Sequence, residues 1–213
     1  MVEFTILSQI SFLIQFLITF VVTIYLYGKY KTDWLSFEKF FFGFFVFITL
    51  SNFIAIFFII DQGLEFAFVN IFSFLSTVLL LIAGFTLMGV HNKIVLYTYP
   101  MAIFAIDAVM NLLHGLKFPG ITEGIYRAVT GIDALLIIIP AILIYAFLTF
   151  KTRDTSLLFF SIALIFYIFG GFTVSRGEIY MAIFFNLAVI CFVIATVLPI
   201  IKNRRLKVNS APT

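Results

Sequence analysis

Long apolar runs, each cut by a short polar break, repeat along the whole chain. A helix crosses a hydrocarbon core in about 20 residues at its 1.5 Å rise, and the runs have that size. The pattern predicts seven helices, over residues 6–27, 38–60, 65–90, 94–115, 123–150, 156–174 and 178–201. The breaks "YGKYKTDWLSFEK", "DQG", "HNK", "GLKFPGITEG", "KTRD" and "SRGE" carry turn or charge signals and are too short to fold separately. The expectation is an all-α integral membrane protein, residues 1–213 forming a single seven-helix membrane domain with a short tail at 202–213. The first run is preceded by no basic segment and lacks a small-residue cleavage site, so it reads as a first span and not as a removable signal.

Composition agrees. Of 213 residues, 63% are hydrophobic, 11% are charged and 31 are phenylalanine, a surface no soluble domain of this size tolerates. The net charge of +3 is parcelled between apolar runs, which points to a lipid bilayer as partner and away from nucleic acid. Cys191 stands alone, so one chain builds neither a disulfide nor a cysteine metal site. Ten basic residues fall on one side of the predicted spans: Lys29, Lys31, Lys39, Lys93, Lys151, Arg153, Lys202, Arg204, Arg205 and Lys207. The other side holds Lys117, Arg127 and Arg176. The positive-inside rule then puts the amino terminus outside a cell membrane and the carboxyl terminus in the cytoplasm. Tyr25, Tyr27, Tyr30 and Trp34 at one predicted inner boundary, and Tyr97 and Tyr99 at another, suit the interfacial aromatic belt.

The polar exceptions to the pattern carry the functional reading. An aspartate in mid-helix costs ~2.5–3.5 kcal/mol on insertion scales, so Asp107 and Asp133 are expected to face inward. In "AIDAVMNLLHG", Asp107, Asn111 and His114 share one helical face. Depth counted along each run places Gln15, Asn52, Asp107, Asp133, Tyr167 and Asn186 in the outer half, with Asn70, Asn111, His114 and Arg127 nearer the mouth. The candidate ligand-binding set is therefore Gln15, Asn52, Asp107, Asn111, Asp133 and Asn186, the acids supplying charge and the amides orienting a small polar solute or cation, for sensing or permeation. A structural alternative stands beside it: amides are ordinary interhelical glue, and Arg127 is available as an ion-pair partner for Asp133. Ser8, Ser11, Gln15, Thr19 and Thr23 form a further stripe, expected to line the bundle interior. Ser73, Ser76, Thr77, Ala83, Gly84, Gly170 and Gly171 read as close packing, and Pro140 as a helix kink.

Other chemistry finds less support. His91 and His114 lie at opposite ends of the third and fourth predicted helices and cannot share a metal or haem. The seventh run has no lysine before Lys202, which excludes a retinal protein. No phosphate-cradling loop, HExxH, GxSxG or CxxC occurs, so no cofactor, metal or catalytic set is expected. Two further readings remain open: a non-catalytic subunit that buries its phenylalanine-rich surface against other membrane proteins, and an intramembrane lipid-modifying enzyme using the aspartate pair.

The layout also has a faint internal echo. "EFAFVNIF" and "EIYMAIFFN" open the third and seventh runs, and one run separates two triplets. Either runs of Phe, Ile and Leu simply look alike, or the spans form a three-plus-one-plus-three parallel repeat. With its outside-in topology, the basic "YGKYKTDW" and the following "FEKFFFGFFVFITLSNF", the chain resembles seven-span sensor modules of prokaryotic signalling proteins. That resemblance implies a separate signalling partner, since six residues follow Lys207. The repeat layout is also similar to that of the small sugar permeases, implying sugar contacts at Asn70 and Asn186, although the first two runs lack the prolines that family uses as hinges.

Overall fold

The computed structural model describes residues 6–30, 36–58, 63–173 and 178–209. Among these, the chain forms seven α-helices: α1 (Ile6–Tyr30), α2 (Ser36–Phe58), α3 (Leu64–Leu87), α4 (Tyr99–Gly115), α5 (Glu123–Thr152), α6 (Thr155–Thr173) and α7 (Glu178–Asn209). Six are long and apolar enough to cross a membrane, α4 when counted with residues 94–98 before it, and the apolar stretch Thr155–Gly170 of α6 is shorter. Lys31, Trp34 and Arg176, which enter the charge and aromatic count, lie outside the described residues.

On two helices burial is inverted relative to a soluble bundle. On α1 the buried face is Ser8, Ser11, Gln15, Thr19, Val22 and Leu26, while Ile10, Leu13, Ile14, Leu17, Val21 and Ile24 are exposed. The same holds on α4, where Asp107 and Asn111 are buried and Met101, Ile106 and Val109 are exposed. A polar face turned inward under an apolar exterior is stable only where the solvent is hydrocarbon. The protein is a multi-pass helical membrane protein.

Local chemistry sets the helix ends. The apolar pattern carries the third helix to residue 90, but α3 stops at Leu87. Gly89 takes φ 76°, its N–H turns back to Thr86 O, and the Val90 N–H reaches Phe85 O. This is the Schellman closure that a glycine permits at low cost. α4 closes the same way on Lys117 (φ 53°), with Lys117 N–H to His114 O and Phe118 N–H to Leu113 O. Its start is unusual. A π-helical turn, Ile94–Thr98, precedes it, and the Tyr99 N–H reaches Ile94 O; Pro100, next in the chain, has no N–H to donate. α7 runs on to Asn209 where a tail from residue 202 is expected, because "KNRRLKV" consists largely of good helix formers and holds no glycine or proline.

The helices group into two compact units, residues 1–141 and residues 142–213, and α5 passes from one into the other just after Pro140. In the first unit α1 packs on α2, α2 on α3 and α3 on α4. Thr23 and Thr49 hydroxyls meet at 3.3 Å between α1 and α2, and the Ser51 hydroxyl donates to Val69 O at 2.9 Å between α2 and α3. Gly115 is the tightest approach of α4 to the start of α3: a Cβ there would sit 3.0 Å from Ala67 Cβ and 3.1 Å from Gly63 O. In the second unit α6 packs on α7. Its core is aromatic, Tyr145 against Phe160 and Phe160 against Phe192, and the Ser161 hydroxyl donates to Ile142 O at 3.0 Å.

Candidate ligand-binding site

Two antiparallel segments of the first unit, α4 and residues 123–141 of α5, build the site. On α4 the buried stripe is Pro100, Ile103, Asp107 and Asn111, one face at spacings of three and four, continued from Leu96 of the preceding π-helical turn. On α5 it is Tyr126, Asp133, Ile137 and Ala141. Two interhelical hydrogen bonds pin these stripes together. Near the 116–122 loop, the Tyr126 hydroxyl donates to Asn111 Oδ1 at 2.9 Å. Further in, the Tyr99 hydroxyl donates to Leu136 O at 2.7 Å. Asp107 and Asp133 both fall between the pins, and the register puts Asp133 about one turn deeper, roughly 6 Å along the axis. The two carboxyls are within electrostatic reach of each other.

A directed hydrogen-bond chain ends on Asp107. Asn70 Nδ2 on α3 donates to the Tyr126 hydroxyl at 3.1 Å, and Tyr126 in turn donates to Asn111. Asn111 Nδ2 then donates to Asp107 Oδ2 and to Asp107 O, each at 2.9 Å. Every donor points toward the carboxyl. Three helices thus hold Asp107 in one orientation. Asp133 is held differently: it is 6% exposed, and its Oδ2 is buried with no hydrogen-bond partner among the described residues. Such a group costs about 1–3 kcal/mol, and more when charged.

At the end of this chain nearest the 116–122 loop lies an exposed ionic cluster. His114 Nε2 is 2.9 Å from Glu123 Oε2, and Arg127 Nε donates to Glu123 Oε1 at 2.6 Å. The His114 ring stacks on Tyr126 with centroids 3.9 Å apart and planes 13° from parallel. Tyr126 therefore touches both the exposed cluster and the buried amide–acid chain.

The structure corrects the expected pair of Arg127 with Asp133. Six residues turn a helix about 120° away from the starting face, so Asp133 points inward while the Arg127 side chain is 72% exposed and bonds Glu123, one turn before it. Of the remaining candidates, Gln15 is buried on α1, but its amide donates to Ser11 Oγ of the same helix at 3.1 Å. Asn52 is buried on α2 with Nδ2 lacking a hydrogen-bond partner among the described residues. Asn186 belongs to the second unit, where Nδ2 donates to Ala182 O of its own helix at 2.8 Å; Tyr167 lies there too, its ring 5.3 Å from that of Phe185. What the structure brings together is Asp107, Asn111 and Asp133 with Asn70, Tyr126 and, at the rim, His114.

Sequence reasoning missed Tyr126 and Glu123. A signal for Tyr126 existed: it stands seven residues before Asp133, two turns along the same face. Glu123 could have been found as the i, i+4 partner of Arg127.

Comparison with protein-family models, with curated proteins and with solved structures finds no match for this chain.

Proposed function

We propose that this membrane protein binds a small cation at the Asp107–Asp133 pair, for sensing or permeation. The observation that carries the reading is the buried Asp133 Oδ2, without a hydrogen-bond partner among the described residues and about one turn deeper along the helix axis than a carboxyl that three helices hold in place. Two like charges in a low-dielectric interior repel, and each demands a counter-charge. Arg127, the nearest candidate on α5, is committed to Glu123. A cation from outside the chain meets that demand. Asn111 and Tyr126 serve as positioning residues that fix Asp107, and the His114–Glu123–Arg127 cluster marks the end from which the site is entered. The distribution of lysine and arginine makes that end the extracytoplasmic one.

The test uses the purified chain in proteoliposomes, following flux of protons, Na⁺, K⁺, Mg²⁺ and Ca²⁺ together with thermal stabilisation by the same ions. Asp107→Asn and Asp133→Asn are expected to abolish whichever response the wild type gives. Unchanged responses in both variants remove the proposal. Orientation is tested apart, by fusing a reporter active only in the cytoplasm to the carboxyl terminus; a silent fusion reverses the topology.

A further inference from the structure

We infer that the cation taken by the Asp107–Asp133 pair is a proton and not a dehydrated metal ion, one carboxyl carrying it while the other stays ionised. The inference rests on reading the two acids as one cation site, and what carries it is the donor set around them. A hard metal ion needs six or more oxygens arranged around it. Here the amide nearest the pair turns its hydrogens inward: Asn111 Nδ2 bonds both the side chain and the backbone of Asp107, while Asn111 Oδ1 faces away and accepts from Tyr126. Asn70 likewise spends its Nδ2 on the Tyr126 hydroxyl. The one amide bonded to the pair thus presents its N–H, not its lone pairs, to the acids. Among the described residues, no cluster of three or more His, Cys, Asp or Glu side chains is placed to hold a metal ion.

Among the described residues, the neighbouring elements offer the pair no competing charge. On α5, Arg127 is bound to Glu123; on α4, His114 is bound to the same glutamate at the exposed end; α3 contributes the neutral Asn70. The Tyr126 hydroxyl already donates to Asn111. Two buried carboxyls offset by about one turn along the axis, one with an oxygen lacking a partner among the described residues, are relieved by a single proton that removes one of the two negative charges. Atoms balance simply: a carboxylate oxygen forms an O–H bond with a proton given up by hydronium, leaving water, and release breaks that O–H bond and returns the proton to water as hydronium.

Infrared difference spectroscopy on the purified full chain tests this. With choline chloride as the only salt, the wild type is expected to show a carboxylic-acid C=O band. That band should be lost in Asp133→Asn or Asp107→Asn and should persist when NaCl, KCl, MgCl₂ or CaCl₂ replaces choline chloride. A band that disappears with one of those salts, or an ion-specific thermal stabilisation lost in the Asn variants, overturns the proton while leaving a cation site in place. No acid band and no ion effect overturns both the inference and the reading beneath it. Should the Asn variants fail to fold, the salt exchange on wild type decides between proton and metal, and Asp133→Glu, which keeps the acid, is expected to shift the band without removing it.

Discussion

The Tyr99 hydroxyl donates to the Leu136 carbonyl at 2.7 Å, and Leu136 lies four residues before Pro140. That carbonyl is the one whose helical donor proline removes. In hydrocarbon no water replaces it, so a side chain from the adjacent helix does. The proline and the tyrosine, 41 positions apart in the chain, form one structural device.

Tyr99→Phe is therefore expected to destabilise the protein by about 1 kcal/mol, with an upper range near 2 kcal/mol. In a Pro140→Ala background the restored N–H bonds Leu136 and most of that loss should vanish. A double-mutant cycle by denaturant unfolding in detergent measures the coupling; additive effects would show that Pro140 and Tyr99 act independently.

Tyr126→Phe keeps the ring that stacks on His114 but deletes the hydroxyl joining Asn70 to Asn111. Two hydrogen bonds go at once, and a loss of about 1–3 kcal/mol is expected. Adding Asn111→Ala to Tyr126→Phe should cost less than the two separate losses combined, because the second removal acts on a chain already broken. The unfolding free energies of the two single variants and the double variant check this.

Arg127→Ala tests the correction to the ion pairing. Its guanidinium is largely exposed and bonds only Glu123 in the described structure. Exposed i, i+4 pairs contribute about 0.3–0.5 kcal/mol, so the melting temperature should barely move and the Asp133-dependent cation response should persist. A large stability loss, or an Asp133 phenotype in Arg127→Ala, would restore the Arg127–Asp133 pair.

Gly115→Val probes the close approach of α4 to the start of α3. The added Cβ meets Ala67 Cβ at 3.0 Å and the Gly63 carbonyl at 3.1 Å, and a backbone oxygen cannot swing aside as a side chain can. Overpacking of this kind costs about 1–3 kcal/mol. Gly131→Ala, with nothing within 4 Å of its Cβ position, is the control and should be neutral or stabilising. Unfolding in detergent distinguishes the two.

Hydrophobic run length and the cost of a buried charge are properties of the chain alone, and from them the seven helices, the membrane as solvent and the inward facing of Asp107 and Asp133 could be read directly. The spacing of Asp107 and Asn111 also placed them on one face before any coordinates, because a helix has a fixed period. The pairing of side chains between helices is different, for it depends on register, and register is set by packing. No local pattern in α4 or α5 says that Tyr126 sits level with Asn111, that Tyr99 meets the carbonyl freed by Pro140, or that Glu123 on α5 also draws His114 on α4. The tertiary structure alone decided those partners, and so decided which of the inward-facing polar groups are satisfied and which buried oxygen, on Asp133, is left wanting one.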